Sequence, residues 1–263
     1  MTVSWMKKGA DSVLVAKQEA VAQEIRKEEA SGMYRFWLNI GEMCKITFVD
    51  GDLDEKGFLV PGRFYEHHLM LNGQWGNNFV CPEKTAPQLG EHCPICATGD
   101  RPALLSVFTI IDHRQGVSKA KGTPYKDTPK LFVAGTQTME ILNKIAVKRG
   151  GLAGATFEVS RTGEKSPRVG TMFDFEGKTP IEELVKQYTK EEVNPQTNKK
   201  ELKSYFVVAD YEKEIIFRTG EQLAALGFGA APVSGYGAAS AAAVSHQGQV
   251  AGPGETTDYA SQL

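Results

Sequence analysis

The sequence predicts a mainly β fold with added helices, of the α+β class, arranged as a small Greek-key barrel with an inserted metal-binding subdomain. Short segments rich in aromatic and β-branched residues recur along the chain, separated by Gly, Pro and Asn-Gly turns. One helical segment interrupts this series between the third and fourth barrel strands. A group of histidine and cysteine residues lies on a separate excursion in the first half of the chain.

Strands are predicted where the pattern of apolar residues fits a sheet. Asp50-Gly51 ends one strand, and Asn72-Gly73 marks a two-residue hairpin turn. The continuous apolar run of Ala103 to Ile111 is typical of a buried central strand. The predicted strands cover residues 33–38, 45–49, 63–71, 74–75, 103–111, 130–134, 155–161, 169–175, 205–208 and 215–217.

Helices are predicted where a capping residue precedes an apolar stripe. Thr138 is followed by Ile141, Leu142 and Ile145 on one helical face, and Gly150-Gly151 ends the segment after Lys148. Shorter helices are predicted to begin at Thr179-Pro180 and to span Thr219 to Leu226.

These elements divide the chain into three parts. Residues 1–32 are expected to form an N-terminal helical arm with only a thin apolar stripe. Residues 33–228 form the core, with the metal-binding subdomain at about 61–100. Residues 229–263 are rich in Ala, Gly and Ser and are expected to be a disordered tail, since they cannot bury enough apolar surface to fold.

The metal-ligand motif reads His-x13-Cys-x11-Cys-x2-Cys. The Cys93-Pro94-Ile95-Cys96 turn supplies two thiolates from one loop, and a further cysteine and a histidine complete a tetrahedron. Four protein ligands leave no open position for catalysis, so one structural Zn²⁺ per chain is predicted. The predicted ligands are His67, Cys81, Cys93 and Cys96.

Several alternatives to this motif stay open. His68 and His92 both lie at workable distances from the cysteines. A redox Cys-x-x-Cys pair is disfavoured because such pairs normally open a helix after a strand, whereas Gly90 and Pro94 give this segment loop character. The fourth cysteine, Cys44, is interpreted as a buried residue on a strand.

Composition excludes several classes of protein. The 263 residues carry a formal charge of −2 and are 41% hydrophobic, which is ordinary for a soluble globular protein. No apolar run approaches the length of a membrane helix, and the first residues lack a signal-peptide core. A cytosolic protein with reduced thiols and no membrane partner is therefore expected.

Charge is unevenly distributed along the chain. Residues 101–168 contain twelve Lys or Arg against five Asp or Glu, while no Lys or Arg follows Arg218. A basic centre in an otherwise acidic chain indicates a face that binds a polyanion.

A single nucleic-acid strand needs cations for its phosphates and aromatic rings for its bases. Tyr125 lies in a basic Gly/Pro loop and is the best candidate for an exposed ring, whereas Trp37 and Phe108 are favoured as core residues. The predicted DNA-binding residues are Tyr65, Trp75, Arg114, Lys119, Lys121, Tyr125, Lys126, Lys130, Arg161, Lys165 and Arg168.

The order of these elements fits an OB-fold, which binds oligonucleotides on one open face. It resembles the zinc-containing single-stranded DNA-binding proteins of tailed bacteriophages over roughly residues 46–168. The resemblance rests on the ligand motif, on a few residues near it and on the helix and strand pair that follow. These features are Glu66-His67, Asn72-Gly73-Gln74-Trp75, Cys81, Cys93-Pro94-Ile95-Cys96 and the helix of residues 139–148.

The resemblance implies cooperative, largely sequence-independent binding of single-stranded DNA, with self-association along the strand. It also implies a role in phage DNA replication, recombination and repair, in the cytoplasm of the bacterial host, without enzymatic activity. Lys7-Lys8 is the equivalent of the basic arm that drives cooperativity in such proteins. Their acidic tails recruit phage replication proteins, whereas this tail carries only Glu255 and Asp258.

Two other classes of function were weighed. A zinc-dependent or magnesium-dependent nuclease needs clustered carboxylates or an open metal position, but the acids here are scattered and no Walker, Gly-x-Ser-x-Gly or His-Glu-x-x-His motif occurs. A zinc-stabilised transcription or protein-interaction module would use the same closed metal site.

Overall fold

The computed structural model describes residues 9, 12, 13, 16, 20, 23, 32–71, 74–117, 122–193 and 199–228, without the side chains of 70, 71, 74–77, 192 and 193. The few described residues of the predicted N-terminal arm between 12 and 23 are helical. The predicted tail, 229–263, lies outside the described residues. No helix in the described part of the chain combines the length and the apolar character needed to span a membrane.

Eleven strands are described, and seven of them form one sheet while two pairs form separate hairpins. In chain order the strands are β1 (Met43–Phe48), β2 (Gly62–Leu71), β3 (Gln74–Val80), β4 (Ala103–Asp112), β5 (Gly116–Val117), β6 (Pro124–Tyr125), β7 (Thr128–Gly135), β8 (Ala155–Ser160), β9 (Met172–Lys178), β10 (Thr189–Val193) and β11 (Lys200–Ser204).

The described helices are mostly short, and only one exceeds seven residues. That helix begins after Gly135 instead of at Thr138, whose buried hydroxyl has no hydrogen-bond partner in the described part of the structure. Thr219 and Gln222 form a capping box at the last helix, in agreement with the predicted start. The helices are α1 (Pro82–Thr85), α2 (Pro94–Ala97), α3 (Thr136–Arg149), α4 (Ile181–Gln187), α5 (Tyr211–Glu214) and α6 (Gly220–Ala225).

Strand β4 is the centre of the seven-stranded sheet. Its first half pairs with β2 and its last residues pair with β1, while β7 lines its other edge. Strand β1 also pairs with β8, which pairs with β9, and β3 extends β2. All of these pairings are antiparallel. The prediction of a mixed α+β fold with a mainly antiparallel sheet is confirmed.

Residues 34–38, predicted as part of a strand, are extended but make only one isolated bridge, between Arg35 and Leu131 of β7. The Phe36 amide donates to the Leu131 carbonyl at 2.7 Å, and the Leu38 amide donates to the Arg168 carbonyl at 2.8 Å. This segment therefore connects β7 with the loop that precedes β9.

Aromatic rings fill the main core between the sheet and α3. Phe48 contacts Phe108, Phe132 and Phe157 with ring centroids 5.3–5.8 Å apart. Helix α3 packs Leu142 and its apolar neighbours against these rings. Phe108 is fully buried, as favoured from the sequence, so it is a core residue and not a platform for bases.

Residues 205–217, named here the C-terminal strap, cover the outer face of β4 and β7. The strap lacks the two strands predicted within it and is irregular apart from α5. The Ala209 amide donates to Thr109 Oγ1 at 2.9 Å, and the Tyr211 hydroxyl donates to Asp50 Oδ2 at 2.6 Å. Ile215 packs with the apolar cluster on this face. Side-chain contacts therefore hold the strap where backbone pairing does not.

Candidate metal centre and basic loops

The four predicted ligands come together at one end of the β2–β3 hairpin. His67 lies on β2, Cys81 directly follows β3, and Cys93 and Cys96 lie at the start of α2 and within it. Their ligand atoms all lie within 4.8 Å of one another. The hairpin and the Cys-x-x-Cys turn thus build a single site from residues far apart in the sequence.

The distances within the cluster fit a tetrahedral zinc ion. The sulfur atoms of Cys81 and Cys96 are 3.6 Å apart, and His67 Nε2 lies 3.4 Å from Cys93 Sγ and 3.6 Å from Cys96 Sγ. Tetrahedral Zn²⁺ with Zn–S near 2.3 Å and Zn–N near 2.0 Å requires separations of about 3.8 Å between sulfurs and about 3.5 Å between sulfur and nitrogen. The cluster can therefore hold a metal ion of this size and preference.

Burial distinguishes His67 from the two alternative histidines. His67 is fully buried in the cluster. His68 is exposed and its Nδ1 lies 2.5 Å from Asn78 Oδ1, while His92 is exposed and lies beside Glu83. The preference for His67 agrees with this placement.

Asp100 orients the histidine ligand. Its Oδ2 lies 2.5 Å from His67 Nδ1, so Nδ1 carries the proton and Nε2 faces the sulfurs with its lone pair. A carboxylate behind a ligating imidazole is the usual companion of a zinc-bound histidine. The sequence motif did not include Asp100, although it follows the Cys-x-x-Cys turn closely.

A small apolar cluster encloses the site. Phe79, Ile95 and Leu223 are fully buried around Cys81 and Cys93, so part of this cover comes from α6. Burial raises the pKa of the Cys93 thiol, and it also raises the pKa of Cys96 to about 12. A bound cation would favour ionisation of these two thiols, since it supplies the opposite charge that burial withholds.

Two of the predicted phosphate contacts face a buried carboxylate. Arg114 and Lys130 both donate to Asp112 Oδ2 at 2.7 Å, and Arg114 also donates to Glu42. Burial alone would raise the pKa of Asp112, but these two cations outweigh it and the pKa lies below its usual value. Arg114 and Lys130 thus stabilise the end of β4. Because carboxylates already neutralise much of their positive charge, they would attract a phosphate less strongly than unpaired cations.

Arg161 has a similar internal role. Its guanidinium donates to the carbonyl oxygens of Leu38, Glu164 and Ser166 at 3.0–3.2 Å, which folds the loop between β8 and β9. On that loop Lys165 and Arg168 are exposed. Neither makes an ion pair within the described residues.

The loop between β4 and β7 holds Tyr125 in an exposed position. Tyr125 pairs with Gly116 across the short β5–β6 hairpin and is 44% exposed, with Lys126 exposed beside it. A Cβ atom on Gly116 would lie 2.7 Å from the Tyr125 hydroxyl, so a larger residue at position 116 would displace the ring from this placement. The predicted contacts Lys119 and Lys121 lie outside the described residues.

Tyr65 and Trp75 lie apart from these basic loops. Tyr65 pairs with Leu104 at the beginning of β4, whereas the loops adjoin the end of β4, roughly 25 Å further along the strand. Its ring packs beside the metal site, with Lys84 Nζ 5.8 Å from its centroid. The side chain of Trp75 lies outside the described residues.

Trp37 is more exposed than its sequence context indicates. The sequence favours a core position, but the side chain is 52% exposed because Phe36 and Leu38 take the inward positions of the same extended segment. Alternation along residues 34–38 was the available signal: an extended segment with two buried residues on one side presents the intervening residue outward.

No second metal site occurs among the described residues, where no other group of three or more His, Cys, Asp or Glu side chains is close enough to share an ion. No protein-family model matches the sequence, and no curated protein matches it either.

Proposed function

We propose that this chain binds single-stranded DNA through an OB-type barrel that a structural zinc ion braces. The observation that carries the proposal is strand connectivity. Strand β1 pairs with both β4 and β8, β4 pairs with β7, β8 pairs with β9, and the main helix α3 lies between β7 and β8. Five strands with a helix between the third and fourth have the order expected of an OB-fold.

Two features support closure of this barrel. Residues 34–38 hydrogen-bond to Leu131 of β7 and to Arg168 before β9, and so span the gap between the two strands that do not pair directly. Phe132 of β7 and Phe173 of β9 contact each other with ring centroids 6.2 Å apart. The extended segment of residues 34–38 thus bridges β7 and β9, which do not pair with each other directly.

Zinc is the ion that best suits the Cys₃His cluster. Thiolate and imidazole ligands in a tetrahedral arrangement favour Zn²⁺ over hard cations, which prefer oxygen. Because four protein ligands close the site, the ion would brace the subdomain and would have no free position for a substrate. The closed site favours a binding protein over a zinc nuclease.

Basic loops at one end of the barrel supply the charge that a single strand needs. The role in phage DNA replication, recombination and repair, self-association along the strand and recruitment of replication proteins by the tail follow from the sequence resemblance alone and remain parts of the proposal.

A titration tests the proposal directly. Purified protein is added to a fluorescent thymidine oligonucleotide and to a duplex of equal length, at two salt concentrations. Tighter binding to the oligonucleotide, with affinity falling as salt rises, is expected because phosphate contacts release counterions. Equal or absent binding would contradict the proposal, and magnesium-dependent shortening of either substrate would indicate a nuclease.

A further inference from the structure

We propose that the single strand crosses one pole of the barrel, with Trp37 as the platform on which a base stacks. This inference rests on the proposed function and specifies its binding face. The loop pole is defined as residues 37–43, the described residues 113–117 and 122–127 of the β4–β7 loop, and the β8–β9 loop (161–171).

The sheet face that an OB-fold ordinarily offers to a strand is covered in this chain. That face would be the outer side of β4 and β7, and the C-terminal strap lies across it. Tyr211 is tied to Asp50 and Thr109 there by hydrogen bonds of 2.6 and 2.9 Å, and Val107 and Leu131 are buried beneath the strap. A strand is therefore left with the loops beside this face, among them the exposed β8–β9 loop that joins the fourth and fifth barrel strands.

The two basic loops meet on residues 37–43. Glu42 joins them, since its side chain pairs with Arg114 of one loop at 2.5 Å and its carbonyl accepts from the Arg161 amide of the other at 3.1 Å. The Gly41 amide also donates to the Arg161 carbonyl at 2.8 Å. Segments distant in the sequence thus form one continuous surface at this pole.

The base of the β4–β7 loop is fixed in place. His113 Nδ1 lies 2.7 Å from Asp127 Oδ1, and His113 Nε2 lies 2.7 Å from Thr47 Oγ1 in the barrel wall. These contacts join the two ends of the loop, so Tyr125 and Lys126 are presented from an anchored base. An anchored loop loses little conformational entropy when it binds a ligand.

The backbone next to Trp37 contacts the loop that carries Lys165 and Arg168. The residue after Trp37, Leu38, hydrogen-bonds to Arg168, so the exposed indole and the exposed guanidinium belong to adjoining strands of backbone. Lys165 and Arg168 make no ion pair among the described residues. An exposed ring beside uncompensated cations matches the bases and phosphates of a single strand.

Exposed apolar side chains extend this surface. Met43 and Met172 both pair with Ser160 across neighbouring strands and are exposed, and Ile40 is exposed between Met43 and Trp37 along the chain. Apolar surface next to an aromatic ring suits the faces of bases, which are flat and poorly hydrated. The exposed cations of the adjoining loops, Lys126, Lys165 and Arg168, favour a polyanion as the ligand of this surface.

Replacing the ring tests the stacking platform. Trp37→Ala is expected to weaken binding to a thymidine oligonucleotide by about 5- to 150-fold, the range that one stacked base contributes, with the salt dependence unchanged. Trp37→Phe should restore most of the affinity. Phe58→Ala is the matched control, since Phe58 is exposed on the loop after β1, at the other pole, and should change affinity less than twofold.

Removing two cations tests the phosphate contacts. The double variant Lys165→Ala/Arg168→Ala should reduce the slope of log affinity against log salt by about 1.4, since each contact with a single strand contributes about 0.7. Lys144→Ala/Lys148→Ala makes the same change of charge on exposed α3 residues and should leave the slope unaltered.

The outcomes separate this inference from the proposed function. If the unmodified protein fails to bind the oligonucleotide, the proposed function is wrong and this inference falls with it. If the protein binds but Trp37→Ala equals Phe58→Ala, the function stands and the loop pole is wrong. Loss of self-association by Trp37→Ala in sedimentation without DNA, at unchanged oligonucleotide affinity, would instead assign the surface to contacts between copies.

Discussion

The main sheet core and the segment that carries the metal ligands are held together in different ways. The sheet core contains the fully buried rings of Phe48, Phe108, Phe132 and Phe157 and many aliphatic neighbours. The fully buried cluster around the ligands has five residues, two of which are the cysteine ligands themselves. Since so small a cluster buries little apolar surface, we expect the ligand segment to depend on a bound metal ion where the sheet core depends on burial.

The largest expected effect is loss of the metal. Cys93→Ser should abolish stoichiometric zinc binding and open the ligand segment, residues 67–100, because structural zinc contributes about 10–16 kcal/mol in isolated peptides. Helix α6 should open with it, since Leu223 packs on the same cluster. Elemental analysis and hydrogen exchange measure both effects, while β1, β4, β7, β8 and β9 should keep their protection.

Cys44→Ser is the matched control for that variant. Cys44 is a buried cysteine of β1 that packs in the sheet core and does not belong to the ligand cluster. Placing a hydroxyl there should lower the stability of the sheet core by about 1–3 kcal/mol and leave one zinc ion per chain. If Cys93→Ser unfolded the sheet core to the same extent as the ligand segment, the two regions would not be independent.

The stability of the sheet core is expected to depend on pH through Asp50. Burial raises the pKa of Asp50 to about 6 from its usual 3.8, although the Tyr211 hydroxyl and the Thr109 amide donate to its carboxylate and oppose this change. The folded state therefore holds the proton more tightly than the unfolded chain. Its contribution to stability is full below about pH 4 and is lost as the pH rises through about 6.

Asp50→Asn removes this dependence and can still bond both neighbours, since its carbonyl accepts from the Thr109 amide and its NH₂ donates to the Tyr211 hydroxyl. The difference between pKa values of about 6 and 3.8 corresponds to about 3 kcal/mol. We compare the free energy of unfolding of the variant with that of the unmodified protein. This difference should shift in favour of the variant by up to about 3 kcal/mol between pH 4 and pH 7. Urea unfolding of the two proteins side by side measures this, and contributions that both share, including those of the metal ligands, cancel. A difference that stays constant with pH would contradict it.

The smallest expected effect is on metal affinity. Asp100→Asn keeps an acceptor for His67 Nδ1 but removes the negative charge behind the imidazole. Zinc affinity should fall by about 10- to 100-fold, the usual cost of changing such a partner, with the fold retained. Competition with a chelating dye gives the affinity, and Asp54→Asn, on an exposed turn outside the subdomain, should leave it unchanged.

The sequence was most informative where spacing along the chain determines geometry. The Cys-x-x-Cys turn places Cys93 and Cys96 side by side, and the β2–β3 hairpin does the same for His67 and Cys81. The ligand cluster was therefore predictable from the sequence. The strap was not, because its place depends on single contacts such as that of Ala209 with Thr109 instead of on a repeating pattern. The pairing of Arg114 with Asp112 and the exposure of Trp37 likewise depend on tertiary neighbours.

The register between β2 and β4 has a consequence for how this chain can gain or lose parts. Glu66 lies directly opposite Ala103, and Gly62 lies opposite Val107, so residues 67–102 form the loop of an antiparallel hairpin. Everything that holds the metal is thus an enlarged turn whose two ends already stand side by side. Excision of this segment, with a two-residue turn in its place, is therefore expected to leave the two bordering strands in register, although α6 would lose the surface on which Leu223 packs.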